Sequence, residues 1–237
     1  MHKGNTSYQD LAPLFRSYSE SRADYLEAID KIVVESLPSG ATSLLDVGAG
    51  DGVRSLKIAD LGSITRVVLA EPNTSMIKSR QIRPGVEIWN TAAENLPAGK
   101  AEFEVITCLW NVLGHIETER KRIIALRKMK SLLSERGLIF IDVNNRKNAA
   151  SYGWIKTFGR IFDDFIKPAE TNGDVSYSWQ VGERIIQSRG HVFTSREMER
   201  LISTAGLQTK VRYIIDYKNG RRRRSVFRGQ LLYLLTR

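Results

Sequence analysis

The stretch Leu44-Leu45-Asp46-Val47-Gly48-Ala49-Gly50-Asp51-Gly52 sets three glycines two apart directly behind an apolar run. A turn bare of side chains at alternate positions lets a ligand lie against the backbone. Where such a turn links a buried strand to a helix, doubly wound sheets bind nucleotides. The dinucleotide pattern G-x-G-x-x-G would need its third glycine at position 53, where Val53 stands. The loop is tight, but its spacing suits a nucleoside with a non-phosphate tail better than a pyrophosphate. Glu71, nineteen residues beyond Gly52, closes the next apolar run. An acid there can accept hydrogen bonds from both ribose hydroxyls.

A second set of chemistry-bearing residues lies in Leu109-Trp110-Asn111-Val112-Leu113-Gly114-His115-Ile116. It follows another apolar run, Phe103 to Cys108, at the same end of the expected sheet. His115 is the first candidate for a base or orienting group, with Asn111 beside it. His191 opens a strand-like run and reads as a structural histidine. Cys108, the single cysteine, sits inside an apolar run and reads as a core thiol, so no disulfide, cysteine metal cage or cysteine nucleophile is expected. Asp142, Asn144 and Asn145 could supply half of a divalent-metal site. The segment 108–115 holds no Asp or Glu to complete it, and no metal is expected.

These residues need a scaffold, and the chain alternates in the way that supplies one. Apolar runs at 42–48, 64–71, 86–90, 103–110 and 137–144 read as five buried strands. Helical stretches fall between them, including 53–62 closed by Gly62 and a long one over 117–137 closed by Gly137. The order is that of an α/β domain with a doubly wound, mostly parallel sheet. Ahead of it, Leu26, Ile29, Val33 and Leu37 share helical spacing. After residue 145 the alternation stops. Residues 174–194 read as a local antiparallel insertion about Gly182. Thr194 and Glu197 have capping-box spacing, with Gly206 as terminator. Lys218-Asn219-Gly220 marks a closing hairpin, with Arg221 to Arg224 at the start of the last strand. The expected organisation is a helical lid at 1–39, a ligand-binding core at 40–145, a substrate-side insertion at 146–192, and a helix with a hairpin completing the sheet at 193–237.

The ordered set "LLDVGAGDG", "VVLAEPN", "AENLP" and "FEVITCLWNVLGHI" resembles the class I S-adenosylmethionine-dependent methyltransferases, of the small-molecule type. The resemblance is strong over 40–145 and weaker through the terminal helix and hairpin. It implies a Rossmann-like seven-stranded sheet ending in an antiparallel hairpin, and S-adenosyl-L-methionine as cofactor. By that likeness Asp46, Gly48, Ala49 and Gly50 line the methionine side and Glu71 holds the ribose. Ala93 and Glu94 cradle adenine, and Pro72 and Leu109 complete the cofactor site. The family's usual acid before that alanine is replaced here by Ala92. The loop holding Asn111 and His115 resembles its counterpart in small-molecule enzymes, including some sugar N-methyltransferases.

The N-terminal lead-in, 8–22, and residues 146–190 hold ten aromatic residues: Tyr8, Phe15, Tyr18, Tyr152, Trp154, Phe158, Phe162, Phe165, Tyr177 and Trp179. Such density suits a planar or apolar acceptor, and Tyr18, Trp110, Tyr152 and Trp154 are the expected acceptor contacts. The net charge of +10 and the run Arg221 to Arg224 leave RNA as the rival partner. Against RNA, the chain lacks an Asn-Pro-Pro-Tyr motif. The longest apolar run, Leu231 to Leu235, is far short of the roughly 20 residues that cross a bilayer. A cytoplasmic protein making no membrane contact is expected; its oligomeric state is not legible in the sequence.

Overall fold

The structure, a computed structural model, describes residues 15–78, 84–99, 102–181 and 184–237. Five parallel strands form one half of the main sheet: β1 (Ser43–Val47), β2 (Arg66–Ala70), β3 (Val86–Trp89), β4 (Phe103–Cys108) and β5 (Leu133–Val143). β6 (Asp174–Val181) and β7 (Arg184–His191) pair antiparallel in a separate two-stranded sheet. β8 (Gln208–Ile215), β9 (Arg222–Arg223) and β10 (Gln230–Thr236) complete the main sheet, whose order is β3-β2-β1-β4-β5-β10-β8-β9. The doubly wound expectation holds, with the two-residue β9 as an eighth strand at the edge.

β1 is buried along its whole length, and β4 is buried but for Glu104. Strands apolar on both faces need helices on both faces. One core lies on the side of α5 (Glu119–Leu132) and α8 (Ser195–Thr204), around Leu126, Met129, Phe193 and Leu201. The other lies under α2 (Ala23–Glu35) and α3 (Val53–Leu61), around Ile29, Val33 and Ile58. β1 pairs with β2 on one side and β4 on the other, so the chain winds both ways from β1. The crevice that opens where winding reverses lies at the carboxyl ends of β1 and β4. Both sequence segments with chemical potential emerge there. The short helices α1 (Phe15–Glu20), α4 (Thr74–Lys78) and α6 (Ala149–Tyr152), and the longer α7 (Trp154–Ile166), flank this end.

Several local expectations are refined. The helix expected to reach Gly137 stops at Leu132, and Leu133 already pairs with Phe103 of β4. Residues 134–137 run extended into β5, so their charge pattern belongs to an irregular strand edge. The buried face of α5 is Arg122, Ala125, Leu126, Met129 and Leu132. Arg122 is tolerated inside because its Nε donates to the Ile116 carbonyl at 3.0 Å and its guanidinium lies over the Phe193 ring. The capping box forms: Thr194 Oγ1 accepts from the Glu197 N–H at 3.1 Å, and Gly206 takes φ +75° behind the helix. The Asn219-Gly220 turn joins β8 to β9 rather than to the last strand. Arg222 and Arg223 pair across from Ile215 and Ile214, and β10 returns between β5 and β8. Arg221 to Arg224 therefore lie beside the sheet edge and not on β10.

Candidate functional site

The glycine loop crosses from β1 to α3 with Gly48, Gly50 and Gly52 all at positive φ: +74°, +58° and +74°. A side chain there is strained in any surroundings. At Gly48 a Cβ would meet Val112 at 2.5 Å, and at Gly50 the Phe15 ring at 3.2 Å. The Gly50 N–H donates to Glu71 Oε2 at 3.0 Å, and the Asn73 N–H donates to Oε1 at 2.9 Å. The Glu71 carboxylate is 7% exposed. Its burial pushes its pKa up to about 7, although the two N–H donors pull the other way. Beside it, Asn73 Nδ2 is buried with no hydrogen-bond partner among the described residues. A buried carboxylate acceptor and an unused donor on one rim suit the vicinal hydroxyls of a sugar.

Asp46 behaves differently from the expectation. Its carboxylate accepts from Ser55 and from Thr107 Oγ1 (2.6 Å), burial raises its pKa, and it does not line the cavity. It ties the start of α3 to β4 and shapes the glycine loop from behind. Ala49 is also buried in the core beneath the loop. Arg54, near the start of α3, pairs with Asp30 and acts electrostatically on Asp46 and Asp142.

At the end of β4, Trp110 and Asn111 both take left-handed backbone conformations, φ +65° and +62°. Two consecutive non-glycine residues there store strain, which surrounding bonds must over-determine. They do: the Trp110 N–H donates to Asp142 Oδ1, and the Asn144 N–H donates to Asn111 Oδ1 at 2.9 Å. The Tyr25 hydroxyl occupies the other oxygen of Asp142 at 2.6 Å. Asn111 thus holds the loop in shape while its residue borders the cavity. Asp142 and Asn111, both chemically eligible by type, are engaged in fixing the position of Trp110.

His115 points toward the two-stranded sheet. Its Nδ1 lies 3.3 Å from the Arg189 carbonyl, which can only accept, so the proton sits on Nδ1. Nε2 then accepts from the Tyr177 hydroxyl at 3.3 Å. Burial pushes the imidazole pKa down to about 4, which keeps the ring neutral near pH 7. His191 is structural in its contacts: Nδ1 is 2.7 Å from Asp174 and Nε2 2.8 Å from Glu197. The Cys108 thiol is buried, and burial raises its pKa strongly.

The glycine loop, the end of β2 and the loop after β4 border one cavity of about 820 Å³. Of the candidates named from the sequence it brings together Gly48, Gly50, Glu71, Pro72, Ala93, Glu94, Leu109, Trp110, Asn111, His115, Tyr18 and Tyr152. Tyr18 stacks on Trp110 with ring centres 5.3 Å apart, and Phe15 packs on the same indole. Trp154 is not in the wall: it is 52% exposed and packs on Phe158 and Phe227. Phe158, Phe162 and Phe165 are exposed along α7. Of the ten aromatic residues noted above, Tyr8 lies outside the described residues, as does the side chain of Trp179. Phe15, Tyr18, Tyr152 and Tyr177 reach the cavity. Ring content is legible in a sequence, but ring direction is not. Sequence reasoning missed Asn73, Met76, Arg22, Arg160 and Tyr217, all of which border it. Asn73 had a local signal, two residues after Glu71. Arg22 and Tyr217 lie far apart in the chain and had none.

Residues 44–137 match the family model of a methyltransferase domain. The glycine/sarcosine N-methyltransferase of Parasynechococcus marenigrum (strain WH8102) is 27% identical over 115 residues, covering 45% of this chain and 39% of that protein. The chain thus spans about two fifths of that relative's length. Among solved structures, the CcbJ methyltransferase of Streptomyces caelestis aligns with a TM-score of 0.70 at 17% identity, over 98% of both chains. CalS10, an amino pentose methyltransferase of Micromonospora echinaspora solved with S-adenosylmethionine bound, aligns with a TM-score of 0.62 at 18% identity. That alignment covers 94% of this chain and 96% of CalS10. At such identities the likeness speaks for the fold. Residues 44–137 thus carry a methyltransferase domain, on a fold that the chain shares with S-adenosylmethionine-dependent methyltransferases. No helix among the described residues is long and apolar enough to cross a membrane.

Proposed function

We propose that this protein transfers a methyl group from S-adenosylmethionine to a nitrogen or oxygen of a small acceptor with a planar or apolar body. The observation that carries the proposal is one shared cavity, bordered both by Gly48, Gly50 and Glu71 and by the rings of Phe15, Tyr18, Trp110, Tyr152 and Tyr177. In this reading Glu71 and Asn73 hold the ribose and the glycine loop faces the methionine part. Ala93 and Glu94 border adenine, with Pro72 and Leu109 closing that side. The cofactor supplies an electrophilic methyl on a sulfonium. Positioning then does most of the remaining work. Tyr18 stacked on Trp110, with Phe15 tilted against the same indole, forms a roof that keeps water from the reacting centre. Tyr152 and Tyr177 face the acceptor from the lid, whose segments are 15–39 and 146–192. Trp154 is left out of the acceptor contacts, and Asn111 acts as a positioning residue.

His115 holds the Tyr177 hydroxyl through Nε2. An acceptor that must lose a proton can pass it through that hydroxyl to Nε2, which is unprotonated near pH 7. The glycine/sarcosine N-methyltransferase relationship favours nitrogen as the acceptor atom. RNA is the weaker reading because the arginine run is divided. Arg223 is held by Asp216 at 2.7 Å, and Arg222 pairs with Glu35 at 3.6 Å while stacking over Tyr213. Nucleic-acid grooves need several free cations along one track. The test is methyl-labelled S-adenosylmethionine offered with panels of small amines and phenols, and with total RNA. Label in a small molecule is the expected result; label in RNA alone would overturn the small-acceptor reading.

A further inference from the structure

Helix α7 turns its polar edge to the protein and its apolar face outward. Thr157 is buried with its Oγ1 donating to the Gly153 carbonyl at 2.8 Å, Asp164 pairs with Arg146, and the Arg160 guanidinium lies over the Tyr152 ring. On the other side Trp154, Ile155, Phe158, Phe162, Phe165 and Ile166 are between 52% and 92% exposed. At 3.6 residues per turn these six positions fall on one continuous stripe. With roughly 150–200 Å² for a whole side chain of this size, the stripe presents about 600–800 Å² of apolar surface. Soluble monomers seldom show a contiguous patch above a few hundred Å², whereas one side of a standard protein interface is about 800 Å². A helix of 13 residues is marginal in water by itself, so α7 gains from having this face covered.

The border of the stripe is self-complementary in charge. Lys156 and Asp163 stand seven residues apart, two helical turns, and so lie along the same edge. Neither has an ion-pair partner among the described residues. When two α7 helices pack antiparallel about a two-fold axis at the middle of the stripe, the edge keeps its side while the chain direction reverses. Phe158 then faces Phe162 of the partner subunit, and Trp154 faces Ile166 of the partner subunit. Lys156 comes within one residue's rise, about 1.5 Å, of the level of Asp163 of the partner subunit. Gly159 lies on this edge, four residues after Ile155 and four before Asp163. A Cβ there would meet nothing within 4 Å, and glycine is unfavourable inside a helix. No contact among the described residues calls for it, but a second helix passing close over that edge does. The charges within α7, Lys156 and Arg160 against Asp163 and Asp164, cancel. A helix lying on anionic lipid carries an excess of Lys and Arg on its polar face instead.

We propose that α7 is the contact between two copies of this chain, packed antiparallel about a two-fold axis. Phe158 and Phe162 form its centre, and Lys156 meets Asp163 of the partner subunit on each side of the axis. Arg160, toward the protein side of α7, borders the cavity, so the contact also steadies that wall of the site.

The experiment is sedimentation velocity and equilibrium on the full chain, from nanomolar to tens of micromolar. The wild type is expected to form a dimer with a dissociation constant in the micromolar range or below. Phe158→Glu and Phe162→Glu change exposed positions, so far-UV circular dichroism should stay at the wild-type signal while each weakens the dimer roughly a hundredfold or more. Lys156→Asp alone sets like charges opposite one another and is expected to weaken the dimer about fivefold or more; adding Asp163→Lys should bring it back to within about twofold of wild type. A wild type that stays monomeric over the whole range would overturn the proposal. So would a dimer indifferent to both phenylalanine substitutions, which would place the interface elsewhere. Loss in Lys156→Asp without recovery in the double variant, or no loss at all, would overturn the antiparallel pairing. A monomer that co-sediments with vesicles of phosphatidylcholine and phosphatidylserine, and loses this in Phe162→Glu, would replace the dimer with a lipid surface.

Discussion

Glu71→Gln tests the centre of the cofactor assignment. The substitution keeps the shape but removes the charge, and it sets an amide NH2 against one of the two backbone N–H groups that now donate to the carboxylate. A hydrogen bond to a charged acceptor contributes about 1.5–3 kcal/mol, so the loss of one corresponds to roughly 10- to 150-fold in affinity. The pKa adds a second signature. In the ligand-free protein it is raised from 4.5 to about 7, so burial favours the protonated form. The corresponding stability is fully present below about pH 4.5 and is lost as the pH rises through about 7. Binding runs the opposite way, because ribose hydroxyls donate best to the ionised form. With a pKa near 7, about a tenth of the groups are ionised at pH 6 and about nine tenths at pH 8, which predicts a roughly tenfold gain in affinity over that interval. Calorimetry with S-adenosylhomocysteine at pH 6, 7 and 8 should show this slope in the wild type and a weak, flat response in Glu71→Gln. Wild-type affinity in the variant, or a flat wild-type profile, would refute the reasoning.

Two further outcomes follow from the same geometry. Gly50→Ala adds a Cβ 3.2 Å from the Phe15 ring on backbone at φ +58°, a conformation costing a non-glycine residue about 1–2 kcal/mol. S-adenosylhomocysteine affinity should drop more than tenfold, with a fall in melting temperature of only several degrees; unchanged affinity would remove the loop from the cofactor site. Arg54→Met leaves Asp30 buried without its partner and strips Asp46 and Asp142 of their nearest positive charge. Breaking a buried pair this way costs about 3–5 kcal/mol, read by urea unfolding and partly recovered by adding Asp30→Asn; a loss below about 1 kcal/mol would show the network to be ordinary surface electrostatics.

Much of the frame was legible in the order of residues because it depends on neighbours in the chain. Strand-length apolar runs, the capping box at Thr194 and Glu197, and glycines at alternate positions behind Asp46 are all local patterns, and they placed β1 to β5 and the glycine loop. Glu71 was found for the same reason: the end of a strand is a local event. Tertiary structure decided what local pattern cannot encode. Asp46 and Asn111 have the residue types of a binding site, yet Ser55, Thr107 and Asn144 engage their oxygens, and those partners come from other elements. Trp154, Phe158, Phe162 and Phe165 match an acceptor wall in composition, but the direction of α7 leaves them exposed. The last strand slips between β5 and β8, which put the arginine run at an edge and divided it between Glu35 and Asp216. Arg22, Tyr152, Arg160 and Tyr217 face one cavity only because the N-terminal helices, the insertion and the closing hairpin converge on it. Convergence of distant segments follows from packing two cores against one sheet, and no window of sequence contains it.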